Sequence, residues 1–519
     1  MPTSHVIESV NEPELLRLGE ELAFIARRGD LLALSGELGA GKTTLARAII
    51  RALAGDQNEE IPSPTFTLVQ TYSSPRMPVA HFDLYRLGAP EEMEELGLDL
   101  ALRNGIAIVE WPERAGKLLP DSRLDVRLDD DGAGASRRVT LTGHGEWAQR
   151  LDRFMAMRKL IGGGGGGANG NGGGTGNREL RYLQGDASVR RYGRLLRHGV
   201  PDAILMDWPR QPDGPPIRDG LPYSRLAHLA EDVRPFVAVA DALHAAGLTV
   251  PRIHAQDLDN GFLLLDDLGD RVFGREMMNG TGQATLWQAA VEALVALSEA
   301  PAPEALPVAG GGVHNVSTYD PGAMAIETEL IVDWYWPALR GTRVADEERA
   351  EFTQLWSQVF GELAKMPAAW VLRDYHSPNL LWLPEREGIA RVGVIDFQDA
   401  MRGPAAYDLV SLLQDARVDV APELEAHLFD HYCNGVAARD SFDRDAFAFA
   451  YAALGAQRNT KIVGIFARLA KRDGKPQYLQ HVPRLWRYLD RDLAHPQLAG
   501  LKRWYNRHFP ADARAIPAA

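Results

Sequence analysis

Two groups of residues in this sequence have the types and spacing needed to handle phosphate. The first is Gly36-Glu37-Leu38-Gly39-Ala40-Gly41-Lys42-Thr43-Thr44, set between the apolar run 31–35 and the helical pattern 45–53. A strand, a glycine-rich turn and a helix in that order let backbone N–H groups converge on phosphate oxygens at a helix N-terminus. Gly36, Glu37, Gly39, Ala40, Gly41 and Thr44 would then cradle a nucleotide. Lys42 would reach its β- and γ-phosphates, and the Thr43 hydroxyl would ligate Mg²⁺. Such a loop also needs carboxylates for metal and water, and two apolar segments, 79–84 and 106–109, end beside Asp83 and Glu110. Carboxylates at strand ends sit on the sheet edge where a nucleotide binds.

The second group lies far downstream. Val371-Leu372-Arg373-Asp374-Tyr375-His376-Ser377-Pro378-Asn379 carries D-x-x-x-x-N, and Asp396 ends an apolar segment 17 residues after Asn379. Phosphoryl transfer to a hydroxyl needs one carboxylate to orient or deprotonate the acceptor. It also needs an Asn and a second carboxylate to hold Mg²⁺ against the phosphates. Asp374, Asn379 and Asp396 fill those roles in order.

The elements that must position these residues differ between the two halves. Before residue 162, amphipathic stretch 12–28 and extended segments 31–35, 66–72, 79–84, 106–111, 124–128 and 138–142 alternate with helical patterns. This predicts an α/β P-loop domain on a mainly parallel sheet. After residue 177, short β-like segments (180–183, 192–196, 203–207, 262–266) precede long helical ones (288–298, 347–364, 446–469). A small β-rich lobe followed by a helical lobe predicts an α+β, protein-kinase-like, two-lobed phosphotransferase domain. Between the halves, residues 162–177 read GGGGGGANGNGGGTGN, eleven of sixteen being Gly, which cannot bury enough surface to offset its ordering entropy. The predicted organisation is therefore 1–160 for the ATPase, 161–177 for a flexible linker and 178–519 for the kinase. Within the kinase, the small lobe spans about 178–270 and the large lobe about 271–519. A coil of this composition spans roughly 20–25 Å and leaves the halves free to move independently.

With 519 residues the chain is too long for one core, and one cysteine, Cys433, suits a reducing compartment. The N-terminus shows no secretory pattern and no apolar run is long enough to span a bilayer, so a cytoplasmic protein without membrane contact is expected. A formal net charge of −14 argues against strong direct binding to nucleic acid. No Ser-His-Asp wording, HExxH or Cys/His cluster supports a hydrolase or zinc enzyme.

Four motifs in the first half, GELGAGKTT (36–44), SPTFTLVQTY (63–72), HFDLYRL (81–87) and VEWPE (109–113), resemble the TsaE family over residues 5–155. That family is the small ATPase partner in bacterial synthesis of threonylcarbamoyladenosine in tRNA. The resemblance implies ATP and Mg²⁺ as cofactors, and other subunits of the threonylcarbamoyladenosine synthesis complex as partners. It further implies a switch-like segment around Thr65, a metal role for Asp83, and support of hydrolysis by Glu110 with a metal contact. Trp111 matches an aromatic of the family beside that acid, although a core tryptophan fits the spacing equally well.

In the second half, RDYHSPNL, VIDFQDAMRGPAAYDLVSLL (with Asp408) and GDASVRRY resemble the aminoglycoside phosphotransferase superfamily from about Leu180 to Arg507. They are most similar to AmgK-type anomeric sugar kinases. The resemblance implies transfer of phosphate from ATP to the C1 hydroxyl of N-acetylmuramate or N-acetylglucosamine in cell-wall recycling. Gly185 and Ser188 would turn over the phosphates with Arg190 and Arg191 behind them, though a plain hairpin turn fits as well. Asp267 would belong to the hinge bordering adenine.

Two departures stand out. Leu372 occupies the place where related kinases often have His, and segment 203–207 lacks the usual phosphate-pairing Lys. Arg190 or Arg191 is expected to substitute. Two alternatives follow: a nucleotide-binding regulatory pseudokinase, or a kinase for another hydroxyl acceptor such as an amino alcohol or aminoglycoside. Trp334, Tyr335 and Trp336 could stack on a sugar or pack in the core. Arg458 could pair with a muramic acid carboxylate or with a carboxylate of the chain itself.

Overall fold

The computed structural model describes residues 2–130, 136–163, 178–183, 190–437 and 442–517. The first sheet has seven strands. They are β1 (Thr3–Val10), β2 (Leu31–Gly36), β3 (Val69–Tyr72), β4 (Val79–Asp83), β5 (Ile106–Glu110), β6 (Arg123–Asp130) and β7 (Arg137–His144), in the order β1-β7-β6-β2-β5-β4-β3. β4, β5 and the first four residues of β2 are buried without interruption, as expected for central parallel strands covered on both faces. β6, β2, β5 and β4 are parallel, while β7 and β3 run antiparallel to them and β1, paired antiparallel to β7, forms the outer edge. The sheet is thus parallel at its centre and mixed at its margins. The predicted strand 66–72 forms only from Val69, because Phe66 is exposed and lies under the Arg86 guanidinium.

Helix α1 (Glu12–Ile25) starts with a capping box between Asn11 and Glu14. It crosses α2 (Lys42–Ala54) at Gly19, where a Cβ would stand 2.5 Å from that of Ala48. Any larger residue there would separate α1 from the helix that begins at the phosphate loop.

The chain divides into two compact units, and the division does not fall at the glycine segment. Unit one comprises Met1–Pro209 with Ile253–Asp267; unit two comprises Arg210–Arg252 with Leu268–Ala519. The five-stranded antiparallel sheet of the small lobe is built from β8 (Arg178–Leu183), β9 (Arg191–Arg197), β10 (Val200–Asp207) and strands Phe262–Leu265 and Ile253–Asp257. It therefore belongs to unit one.

One hydrophobic cluster runs from Leu18, Leu22 and Phe24 of α1 through to Leu180, Leu195, Leu205 and Phe262 of this sheet. Phe24 meets the Tyr182 ring at 6.2 Å, and Gly193 of β9 leaves the space that its own ring needs. Polar contacts bind the same seam. Leu180 N–H donates to Glu20 at 3.0 Å, and Arg178 donates to Ile161 O at 2.8 Å. Arg153, on the helix Glu146–Gly163, donates to Asn260 O at 2.8 Å while lying over the Phe262 ring. Where the glycine composition led to an expectation of independent halves, the described residues on either side of it share a core. The reason is that α1 and the helix Glu146–Gly163 are apolar on more than the face they turn to the P-loop sheet.

Unit two is largely helical, as expected. Its 30-residue helix Arg444–Asp473 is buried along most of its middle. Short strand pairs, Ala369–Val371 with Met401–Gly403 and Leu380–Trp382 with Val392–Val394, frame the segment around Asp374 and Asn379. Tyr335 and Trp336 pack among Trp486, Trp504 and Phe509, which places two of the three clustered aromatics in the core. Among the described residues no helix is long and apolar enough to cross a membrane.

Candidate active sites

β2 delivers the phosphate loop, and its parallel neighbours deliver the acids. Asp83 and Glu110 are register partners at the ends of β4 and β5, and Glu110 is paired through β5 with Leu34 of β2. Loop and acids therefore meet in a cavity of about 280 Å³ that includes Lys42, Thr43, Thr65, Asp83, Glu110 and Trp111. Lys42 Nζ donates to the Gly36 and Glu37 carbonyls, each at 2.8 Å, and stands 3.7 Å from the Trp111 ring centre. Burial pulls the Lys42 ammonium down from its usual range, against the opposing pull of Glu110, Glu113 and Asp83. Thr43 Oγ1 donates to Glu110 at 2.9 Å. Thr65 and Ser63 hydroxyls both donate to Asp83, at 2.7 and 3.1 Å.

Gly36 needs to be glycine: its φ is +138°, and a Cβ would fall 2.3 Å from the Leu128 carbonyl oxygen. Two contributors had no role assigned from the sequence, although His81 opens the motif HFDLYRL. His81, fully buried on β4, lies 2.9 Å from Glu110 and orients it, and Arg137 of β7 donates to the Ala40 carbonyl. Trp111 is in the left-handed region at φ +59°, an uncommon place for a large side chain, and lies against Tyr85 and Lys42.

The second site is built on two loops, each with a further residue in that region: Arg373 at φ +74° and Asp396 at φ +62°. Strain of this kind costs about 1–3 kcal/mol each and persists only where surroundings enforce it. They do so here. Asp408, buried at the start of helix Ala406–Leu413, accepts the backbone N–H of Leu372 at 2.6 Å and of Arg373 at 2.9 Å. Burial pushes the Asp408 carboxyl up to about 7, although these two N–H bonds pull the other way. The departure at Leu372 thus leaves the loop anchored through its backbone. The Arg373 side chain turns inward, donating to Ala227 O at 2.7 Å and to Glu327. Glu327 also accepts from Lys461 at 2.7 Å, Gln457 at 2.9 Å and the Tyr319 hydroxyl at 2.6 Å.

On the outer side of this anchor, Asp374 is partly exposed. Burial would raise its carboxyl, but His376, Lys461, Arg373 and Arg458 together hold it below the usual aspartate range. Asn379 Nδ2 spans the site, donating to Asp374 O at 3.0 Å and reaching Asp396 at 3.5 Å. Gln398 donates to Asp396 at 3.1 Å and Asp399 at 3.2 Å. The structure therefore brings Asp374, Asn379 and Asp396 together. Glu327, Lys461 and Gln398 complete the arrangement; Gln398 lies within the quoted motif around Asp396, whereas Glu327 and Lys461 belonged to no recognisable spacing.

Of the small-lobe candidates, Gly185 and Ser188 lie outside the described residues. The Arg190 guanidinium lies over the Trp208 ring, and Arg191 donates to Phe24 O at 3.2 Å with Asp207 at 3.7 Å. Asp267 is held by Arg194 at 2.6 Å.

Among the described residues no cluster of three or more His, Cys, Asp or Glu could hold a metal alone. The oxygen donors present, Thr43, Asp83 and Glu110 in one site and Asn379 and Asp396 in the other, suit a hard cation. Mg²⁺ in particular is usually shared between one or two carboxylates and substrate phosphates.

Comparison with known proteins agrees with both geometries. The family described as "Threonylcarbamoyl adenosine biosynthesis protein TsaE" matches residues 9–139, and the "Phosphotransferase enzyme family" matches residues 179–449. An N-acetylmuramate/N-acetylglucosamine kinase of Caulobacter vibrioides is 43% identical over 341 residues, covering 64% of this chain and 92% of that protein. Its namesake in Pseudomonas aeruginosa is 36% identical over 329 residues, covering 62% of this chain and 86% of its own. The tRNA threonylcarbamoyladenosine biosynthesis protein TsaE of Streptomyces coelicolor is 44% identical over 138 residues, covering 25% of this chain and 92% of its own.

Proposed function

We propose, for a chain that belongs to the TsaE family over residues 9–139 and to the phosphotransferase enzyme family over residues 179–449, two ATP-dependent activities in one polypeptide. The first, within residues 1–160, is ATP hydrolysis in support of tRNA threonylcarbamoyladenosine synthesis, performed with partner subunits that hold the RNA. The second, within residues 178–519, is phosphorylation of the anomeric hydroxyl of N-acetylmuramate or N-acetylglucosamine.

The observation that carries the kinase reading is the meeting of Asp374, Asn379 and Asp396 on a loop held from behind by Asp408 and Glu327. In the proposed mechanism a carboxylate oxygen of Asp374, kept ionised by its cationic surroundings, accepts the proton of the acceptor hydroxyl. Asn379 and Asp396 would hold Mg²⁺, which would supply charge neutralisation at the transferring phosphoryl group. At the first site Lys42 and Thr43, with Asp83, would hold the phosphates and the metal. Glu110, fixed by His81, positions the attacking water.

The test is ATP consumption by the full chain against a panel of sugars and amino alcohols, with Asp374→Asn as control. Turnover on either amino sugar, reduced roughly 10²- to 10⁴-fold in the control, supports the reading. Turnover on a different acceptor alone refutes the sugar assignment, and silence across the panel refutes phosphotransfer.

A further inference from the structure

Four arginines of the described chain are buried below one tenth exposure: Arg158, Arg178, Arg373 and Arg458. The first three are each matched by a carboxylate, respectively Glu21, Asp202 and Glu327. Arg458 is 5% exposed and has none. Its one hydrogen bond among the described residues is long, from Nη1 to Gln414 O at 3.5 Å. The remaining guanidinium nitrogens are not among the sealed, unpaired donors of the molecule, so they keep a path to solvent.

The position of Arg458 is well defined by its neighbours on the helix Arg444–Asp473. Gln457 and Lys461 both bind Glu327, and Glu327 binds Arg373, the residue before Asp374. Asn459 is bonded to Gln414 at 2.7 Å and to Asp492 at 3.2 Å. The turn that carries Arg458 is therefore fixed on one side to the Glu327–Arg373 anchor of the catalytic loop and on the other to Gln414 and Asp492.

A desolvated guanidinium with no carboxylate within ion-pair distance is costly, and its planar fork matches a carboxylate in two parallel N–H···O bonds. Building on the amino-sugar kinase reading, we infer that Arg458 forms a carboxylate subsite of the acceptor site. There it receives the lactyl group of N-acetylmuramate, the one charged feature that distinguishes this sugar from N-acetylglucosamine. Arg458 is thus the residue that favours the acidic acceptor over the neutral one.

The experiment is steady-state kinetics of the full chain with both sugars at saturating ATP, for wild type, Arg458→Gln and Arg458→Lys. In Arg458→Gln, the ratio of kcat/KM for N-acetylmuramate to that for N-acetylglucosamine should fall roughly 10- to 100-fold, the usual worth of a charged hydrogen bond, through KM. Arg458→Lys, which keeps the charge and loses the fork, should fall between. An unchanged ratio, or an equal kcat loss for both sugars, overturns the assignment; the second result would place Arg458 on the transferred phosphoryl group instead. Should Arg458→Gln fail to fold, the ratio in Arg458→Lys decides alone. A wild-type chain inactive on both sugars refutes the amino-sugar reading and this subsite together, whereas an active chain with an unmoved ratio refutes the subsite only.

Discussion

Glu327 is the counter-charge on which the catalytic loop rests, and Glu327→Gln measures its weight. The carboxylate is fully buried and accepts from Arg373, Lys461, Gln457 and Tyr319. Burial alone would raise it, but Lys461 and Arg373 outweigh that and hold it at about 2, from an ordinary 4.5. At about 1.4 kcal/mol per pH unit, that interval corresponds to about 3 kcal/mol of stability. The sign follows from the lowered value: the contribution is complete above pH 4.5 and is lost as pH falls towards 2. Glutamine would leave Arg373 and Lys461 facing one another unbalanced, for which about 3–5 kcal/mol is the usual cost. At about 2 °C per kcal/mol, the melting temperature should drop roughly 6–10 °C at pH 7. At pH 3.5 the wild type has already lost part of this term, so the deficit of the variant should shrink by about 1 kcal/mol. Thermal melts at both pH values provide the assay, with kcat for phosphotransfer as a second reading, since a loosened Arg373 displaces Asp374. A deficit below about 1 kcal/mol at pH 7, or one that does not change with pH, would refute the reasoning.

Lys42→Ala should abolish sugar-independent ATP hydrolysis while sparing sugar phosphorylation, measured as phosphate release and phosphosugar formation on the same preparation. Loss of both activities would show that the seam between the P-loop domain and the small lobe transmits the state of the first site. Glu20, half-buried under the Leu180 N–H, has its carboxyl raised by burial to about 7 from 4.5. Its stabilising contribution is therefore complete below pH 4.5 and gone above about pH 7. Glu20→Gln, which keeps the acceptor oxygen, should stabilise unit one at pH 8 by at most about 3 kcal/mol, seen as a higher melting temperature, and leave it nearly unchanged at pH 4.5. An equal effect at both pH values would contradict the assigned role of burial.

Both sites were legible in the sequence where chemistry forces local spacing. The phosphate loop needs contiguous residues, and Asp374 and Asn379 lie on one loop, with Asp396 just past the second of the two strands that follow it. What escaped notice was carried by contacts with large sequence separation. His81 reaches Glu110 through strand register, and Arg137 reaches Ala40 across the sheet edge. Glu327 and Lys461 come from two helices whose apolar patterns announce only a core. The parallel centre of the first sheet followed from the alternation of strands and helices, but β1, with alternating half-exposed residues, was not among the expected strands. The glycine segment was read from composition, which speaks of the segment and not of the surfaces flanking it. Whether those surfaces are sticky depends on Phe24, Tyr182 and Gly193 meeting in space.

That meeting has a genetic corollary. Because α1 is lined by apolar side chains shared between the phosphate-loop domain and the small-lobe sheet, a missense change in it is a change in both proteins at once. A temperature-sensitive allele at Leu22 or Phe24 should behave as one lesion with two phenotypes, in wall-sugar salvage and in tRNA modification. Complementation by either half supplied separately would restore only one of them.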